Sequence, residues 1–127
     1  MSYYLHFRKG GVNICNFCRV TSMYQVFDNM PPFDDKWEPV TRRQLEDGKA
    51  VAKSLIKADK KHLEKLQMIF DKTTDSEERW ELADRIFDTK EVCKEYEKVI
   101  MQIDFLIQIL EETDNQGNEI PMEWGIF

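Results

Sequence analysis

The stretch VCKEYEKVIMQIDFLIQIL, residues 92–110, carries the most regular hydrophobic pattern in the chain. Val92, Tyr96, Val99, Ile103, Leu106 and Leu110 recur at alternating spacings of four and three, which places them on one side of an α-helix. Cys93, Ile100 and Ile107 widen that stripe. A face this broad must be covered by several elements of the same chain or by a second subunit. The expectation drawn here is a homodimer through residues 92–110, with Trp124 and Phe127 of the tail assigned to the same interface. For Trp124, completion of the core is the plainer alternative.

Working outward, helical spacing governs most of the chain. Trp80, Ala83, Ile86 and Phe87 predict a buried side for the helix that leads into residue 92, with a joint near Thr89. Leu45, Ala52, Leu55, Ile56, Leu63, Leu66 and Phe70 predict a helix from Thr41 to about residue 71. Thr41 with Gln44, and Asp75 with Glu78, have capping spacing. The apolar stripe thins at residues 57–61, so this segment reads as one helix, with two as the alternative. Met23, Val26, Phe27 and Met30 predict a shorter helix, opened by Thr21 or Ser22 and stopped by Pro31-Pro32.

Period two appears only at the ends. Tyr3, Leu5 and Phe7 alternate with Tyr4, His6 and Arg8, the pattern of a half-buried strand. Gly10-Gly11 is a turn for a hairpin into Val12–Ile14. Asn115–Asn118 closes the long helix, and Ile120, Met122 and Trp124 alternate again. The fold predicted is α+β and predominantly helical. An N-terminal β-hairpin packs with three to five helices, and a short C-terminal strand follows, in a single domain over 1–127.

Composition narrows the functions. With 127 residues and 42% hydrophobic residues, a real core forms. The net charge of -6 argues against membrane adsorption and against direct nucleic-acid binding, both of which need excess cations. No apolar run is long enough to span a bilayer, and residues 1–11 lack the apolar core of a secretory signal. Three cysteines cannot close a complete set of intramolecular disulfides, so a reducing cytoplasm is the expected compartment.

Three groups of residues invite a chemical reading. Cys15 and Cys18 have the spacing of half a zinc site, which Cys93, His6 or His62 would have to complete, Cys93 and His6 being the ligands expected; a redox pair is the related alternative. Burial as small apolar residues is the preferred account of the cysteines. Arg42, Arg43, Lys49, Lys53 and Lys57 form a cationic stripe that, with Trp37 as a stacking ring, would suit a nucleotide. A solvated helix face is the plainer reading of the stripe. No triad, phosphate loop, HExxH or EF-hand pattern occurs, so no catalytic residue and no cofactor are expected.

MSYYLHFRK at 1–9, VTSMYQVFDNM at 20–30 and LEDGKAVAKSLIKA at 45–58 together resemble small tailed-phage and prophage accessory proteins. Leu45 and Gly48 occupy the last of these elements. The resemblance covers residues 1–58 and carries over no catalytic residue. It implies a phage protein that binds and disables a host factor. The function expected is therefore non-enzymatic binding and inhibition of a host protein in the bacterial cytoplasm, a counter-defence or nucleic-acid-processing target. Sequestration of a nucleotide signal and a cysteine-based zinc or redox module are the alternatives.

Overall fold

A computed structural model describes residues 3–17, 20–28, 30–32 and 35–127. The chain runs β1 (Leu5–Lys9), β2 (Val12–Phe17), α1 (Val20–Val26), β3 (Glu38–Pro39), α2 (Arg42–Lys72), α3 (Ser76–Leu110) and β4 (Met122–Ile126). This is the predominantly helical α+β architecture read from the sequence. The sheet has four strands in the order β2-β1-β4-β3, all neighbours antiparallel. The residues group into two compact units, one of Met1–Val51 with Met101–Phe127 and one of Ala52–Ile100.

In the first unit the sheet grows from the hairpin. Gly10 and Gly11 both have positive φ, 61° and 79°, the backbone that a two-residue turn matched to strand twist requires. The β1–β2 register shifts between Phe7 and Arg8, so a bulge interrupts the ladder there. The tail strand β4 lies inside the sheet, between β1 and β3, with Leu5 opposite Ile126, Phe7 opposite Trp124 and Lys9 opposite Met122. These inward residues are buried and meet Met23, Val26 and Phe27 from α1 and the residue after it in a common core. Phe7, Phe17, Phe27 and Trp124 form its aromatic centre, with Phe27 edge-on to Trp124 at 5.6 Å. The expected cap at Thr21 or Ser22 concerns side chains outside the described residues.

Lys9 is the exception in that inward row. It is buried, and its ammonium donates to the carbonyl oxygens of Ile109 and of Leu110, the latter at 2.9 Å. Those carbonyls belong to the last turn of α3, where helical donors run out and Ile109 accepts only the Glu112 amide, at 3.1 Å, besides the lysine. The positive charge also complements the partial negative charge of the helix end.

α2 is one uninterrupted helix, as is α3; neither the thinning at 57–61 nor Thr89 breaks the backbone. α2 opens on the predicted capping box: the amide of Gln44 donates to Thr41 Oγ1 at 3.2 Å, and the amide of Thr41 to Gln44 Oε1 at 2.8 Å. Gly48 is buried on α2, and a Cβ there would collide with the ring of Phe27. α3 ends at Leu110, earlier than the Asn115–Asn118 stop that composition predicts. A separate loop follows, in which Asp114 Oδ1 accepts the amides of Gln116 and Asn118 at 2.8 and 2.9 Å. Among the described residues no helix is long and apolar enough to cross a membrane.

In the second unit the distal turns of α2 and α3 pack as an antiparallel hairpin joined at residues 73–75. Asp75 caps α3, accepting the Glu78 amide at 3.0 Å. Arg79 closes the turn, donating to the carbonyls of Phe70 and Thr73 at 2.9 Å and lying 4.0 Å over the Phe70 ring. The buried stripe is Ala52, Ile56 and Leu66 from α2 with Ile86, Cys93, Tyr96 and Val99 from α3.

Gly48→Ala should lower unfolding stability by about 1–3 kcal/mol, because an added methyl forces Phe27 out of its place. Alanine is otherwise the better helix former by about 1 kcal/mol, so equal or greater stability in urea would remove this account. The two backbone bonds to Asp114, from Asn118 and then Gln116, hold its carboxyl below the ordinary 3.8. A lowered folded pKa gives stability that is present above the ordinary value and is lost as pH falls through the lowered one. The amide shifts of Gln116 and Asn118 should therefore titrate together below 3.8; a midpoint at or above it would contradict the loop geometry.

Candidate functional site

Among the described residues, His6 and Cys15 do not converge as a metal centre. Cys15 lies within β2, opposite Phe7, whereas His6 is opposite Asn16. Alternation along the paired strands thus sends His6 and Cys15 to opposite faces of the sheet. Burial pushes the Cys15 thiol up to about 11, the reverse of what a redox-active cysteine needs. Cys93 belongs to the helical hairpin, where burial first and the Asp59 carboxylate second raise its pKa. Cys18 lies outside the described residues. Among the described residues no three of His, Cys, Asp and Glu gather as a ligand set.

The cations predicted to bind a nucleotide are engaged elsewhere or dispersed. Arg42 donates to Glu46 at 2.9 Å and to Glu111 at 2.7 Å, and those two carboxylates, Glu46 first, raise its pKa further. Arg43 pairs with Asp47 at 3.7 Å, and Lys49 with Asp104. Lys53 and Lys57 are exposed on the α2 side of the hairpin unit. Beside Arg42 a cavity of about 490 Å³ is lined by Glu111, Glu112 and Glu119 as well as by Val40, Ile120 and Met122. Three carboxylates against one neutralised arginine repel a phosphate.

Trp37 is occupied as well. The guanidinium of Arg8 sits 4.1 Å over its ring, and the Phe127 ring packs beside it at 4.8 Å. Arg8 is held in turn by Glu123 at 3.0 Å. His6 completes this outward cluster, 5.9 Å from Phe127 and 6.5 Å from Trp37. Gly125 lets the cluster lie close to the sheet, since a Cβ there would stand 2.5 Å from the Phe127 ring and 2.8 Å from the Lys36 carbonyl oxygen. Among the described residues, Arg8 thus takes one face of the Trp37 ring and Phe127 its flank.

The face expected to join two copies is used inside the chain. Tyr96 and Val99 are buried in the hairpin unit, and Ile103 and Leu106 in the sheet unit; Val92 and Leu110 are half-buried. Trp124 is fully buried beneath the sheet, and Phe127 belongs to the cluster around Trp37. The width of the stripe therefore needs no second subunit, because the chain itself covers Tyr96, Val99, Ile103 and Leu106.

Apolar side chains left in solvent on the hairpin unit lie elsewhere, at Met68 and Ile69 on α2 and, with larger rings, at Trp80 and Phe87 on α3. Trp80 and Phe87, expected in the core, are 74% and 60% exposed on α3. Their separation of seven residues puts them two turns apart on one side, and exposed Ala83 lies between. Glu77, Asp84 and Glu91 share that side, also at intervals of seven, and Asp88 borders it; all four are exposed. Of these, Glu91 pairs with Lys94 at 3.1 Å. The sequence did hold the signal. The phase that contains Trp80 and Phe87 is the phase of the carboxylates, while Leu82, Ile86 and Cys93 follow the other side.

These features define a helical α+β protein with an acidic, aromatic face exposed on α3. No protein-family model, no curated protein and no solved structure matches the chain.

In the native protein, iodoacetamide at pH 8 should alkylate Cys15 and Cys93 on the order of tenfold more slowly than in denaturant, since little thiolate exists at either. Peptide mass spectrometry resolves the two sites. Equal native and denatured rates at Cys15 would overturn its placement inside the sheet.

Proposed function

We propose that this chain is a non-enzymatic binding protein that docks on another protein through the outer side of α3. The observation that carries the reading is the exposed pair Trp80 and Phe87. Leaving a tryptophan and a phenylalanine in water wastes roughly 1.5–3 kcal/mol of burial for each, and such side chains are the usual anchors of protein interfaces. Around them no nucleophile, base and orienting group converge, so the surface fits recognition and not turnover.

The resemblance of residues 1–58 to phage accessory proteins supplies the setting. In that setting the partner is a host protein in the bacterial cytoplasm, of the defence or nucleic-acid-processing kind, and binding inhibits it. Sequestration of a nucleotide is the weaker reading, because Arg42, Arg43 and Lys49 are already paired with carboxylates.

Immobilised wild-type protein should retain a specific protein from host lysate, and Trp80→Ala combined with Phe87→Ala should weaken that retention at least about tenfold. The double variant should keep wild-type helicity by circular dichroism, since neither ring supports the core. Activity of the recovered protein, assayed with and without this chain, then reads inhibition. Retention unchanged by the double substitution, or nothing retained above bare resin, would defeat the proposal.

A further inference from the structure

The side of α3 that carries Trp80 and Phe87 also restricts what can cover it. Over residues 76–91 there are six carboxylates against three cations. Among the cations, Arg79 is turned into the hairpin, where it holds the Phe70 and Thr73 carbonyls and covers the Phe70 ring. Glu77, Asp84 and Asp88, by contrast, have no ion-pair partner among the described residues. The open side is therefore acidic around its two aromatic anchors, beyond what the net balance suggests.

We infer that the occupant of this face is a basic amphipathic helix of another protein, its apolar side on Trp80 and Phe87 and its Lys or Arg side chains on Glu77, Asp84, Asp88 and Glu91. The inference rests on the docking function proposed above and adds the partner's chemistry. Carboxylates at 77, 84 and 91 recur every two turns, about 10.5 Å apart along the axis. A second helix laid alongside presents its own flanking positions at the same repeat, which is how charged flanks select a partner in helix–helix pairing. An acidic partner would bring like charges together without water between them, and a neutral one would leave Glu77, Asp84 and Asp88 to be desolvated without compensation.

A second copy of this chain is the natural rival, because α2 is basic on its outer side. Lys53, Lys57, Lys61 and Lys65 are exposed there at four-residue spacing. In the hairpin unit, however, α2 and α3 bury their facing stripes, so the lysine side and the acidic side look away from each other. Joining unlike, opposed surfaces of identical chains is heterologous and builds open-ended chains instead of a closed dimer. A net charge of -6 on every copy opposes such growth further.

The test uses the full chain and three synthetic helical peptides with one leucine face: one flanked by arginine, one by glutamine, one by glutamate. Binding is read by tryptophan emission and by titration calorimetry at low and high salt. The arginine peptide should bind best, shift emission to shorter wavelength and weaken at least tenfold as salt rises. Trp80→Ala with Phe87→Ala should weaken it at least tenfold. Asp84→Lys with Glu91→Lys should reverse the preference towards the glutamate peptide. If the glutamine or glutamate peptide binds as well as the arginine one and still requires Trp80, docking stands and the basic partner is overturned. If no peptide binds in a Trp80-dependent way, both readings fall. A mass by light scattering that climbs with concentration, and stops climbing in Trp80→Ala, makes a second copy the occupant and likewise overturns the inference.

Discussion

Lys9 occupies the last inward position of β1, and its ammonium ties that strand to the carbonyl oxygens of Ile109 and Leu110 at the end of α3. The same strand holds Leu5 and Phe7 in the core and pairs with β2 on one side and β4 on the other. One lysine thus joins the sheet to the helix that returns the chain to it. An apolar residue at this place would remove the ammonium from the Leu110 carbonyl and leave the Ile109 carbonyl with the Glu112 amide alone, and a lysine without them would be a buried charge without a partner. The arrangement works because each group relieves the other. It also fixes where α3 must stop, which then sets the start of the loop through Asp114 and the entry of β4.

Much of this architecture was legible because it rests on local chemistry. Thr41 with Gln44, Asp75 with Glu78 and the pair Gly10-Gly11 all behave as their types and spacings require. The central place of β4 was not legible, since alternation at Met122 and Trp124 says that a strand exists but not which neighbours it takes. Lys9 could have been noticed: it continues the alternation of Leu5 and Phe7, so its inward charge called for a carbonyl-rich partner. The width of the stripe at 92–110 suggested two subunits because periodicity cannot distinguish cover from within and cover from outside. Trp80 and Phe87 were drawn into the core by their hydrophobicity, although Glu77, Asp84 and Glu91 marked their side of the helix as wet.

Each unit covers some of its large aromatic residues and leaves others in water, among them Tyr24 and Phe105 in the sheet unit. In the sheet unit, rings above and below the strands are covered: Phe7, Phe17, Phe27 and Trp124 on one face, Trp37, His6 and Phe127 under Arg8 on the other. In the hairpin unit the tryptophan and a phenylalanine stand in water among acids. His6, Cys15, Cys93 and the paired arginines, which drew attention in the sequence, contribute to packing and ion pairing.

The inside position of β4 has a kinetic side. Arg8 and Glu123, which meet across β1 and β4, are 115 residues apart in the chain, whereas the helical hairpin closes through a turn of three residues. Short-range helical contacts form on microsecond scales, and pairing across so long a loop waits on a rarer closure. During that interval β1 has one neighbour, and its other edge, with Leu5 and Phe7 beside it, is open to any extended strand that passes. The residues that settle last are therefore the ones that protect the chain from sticking to itself while it matures.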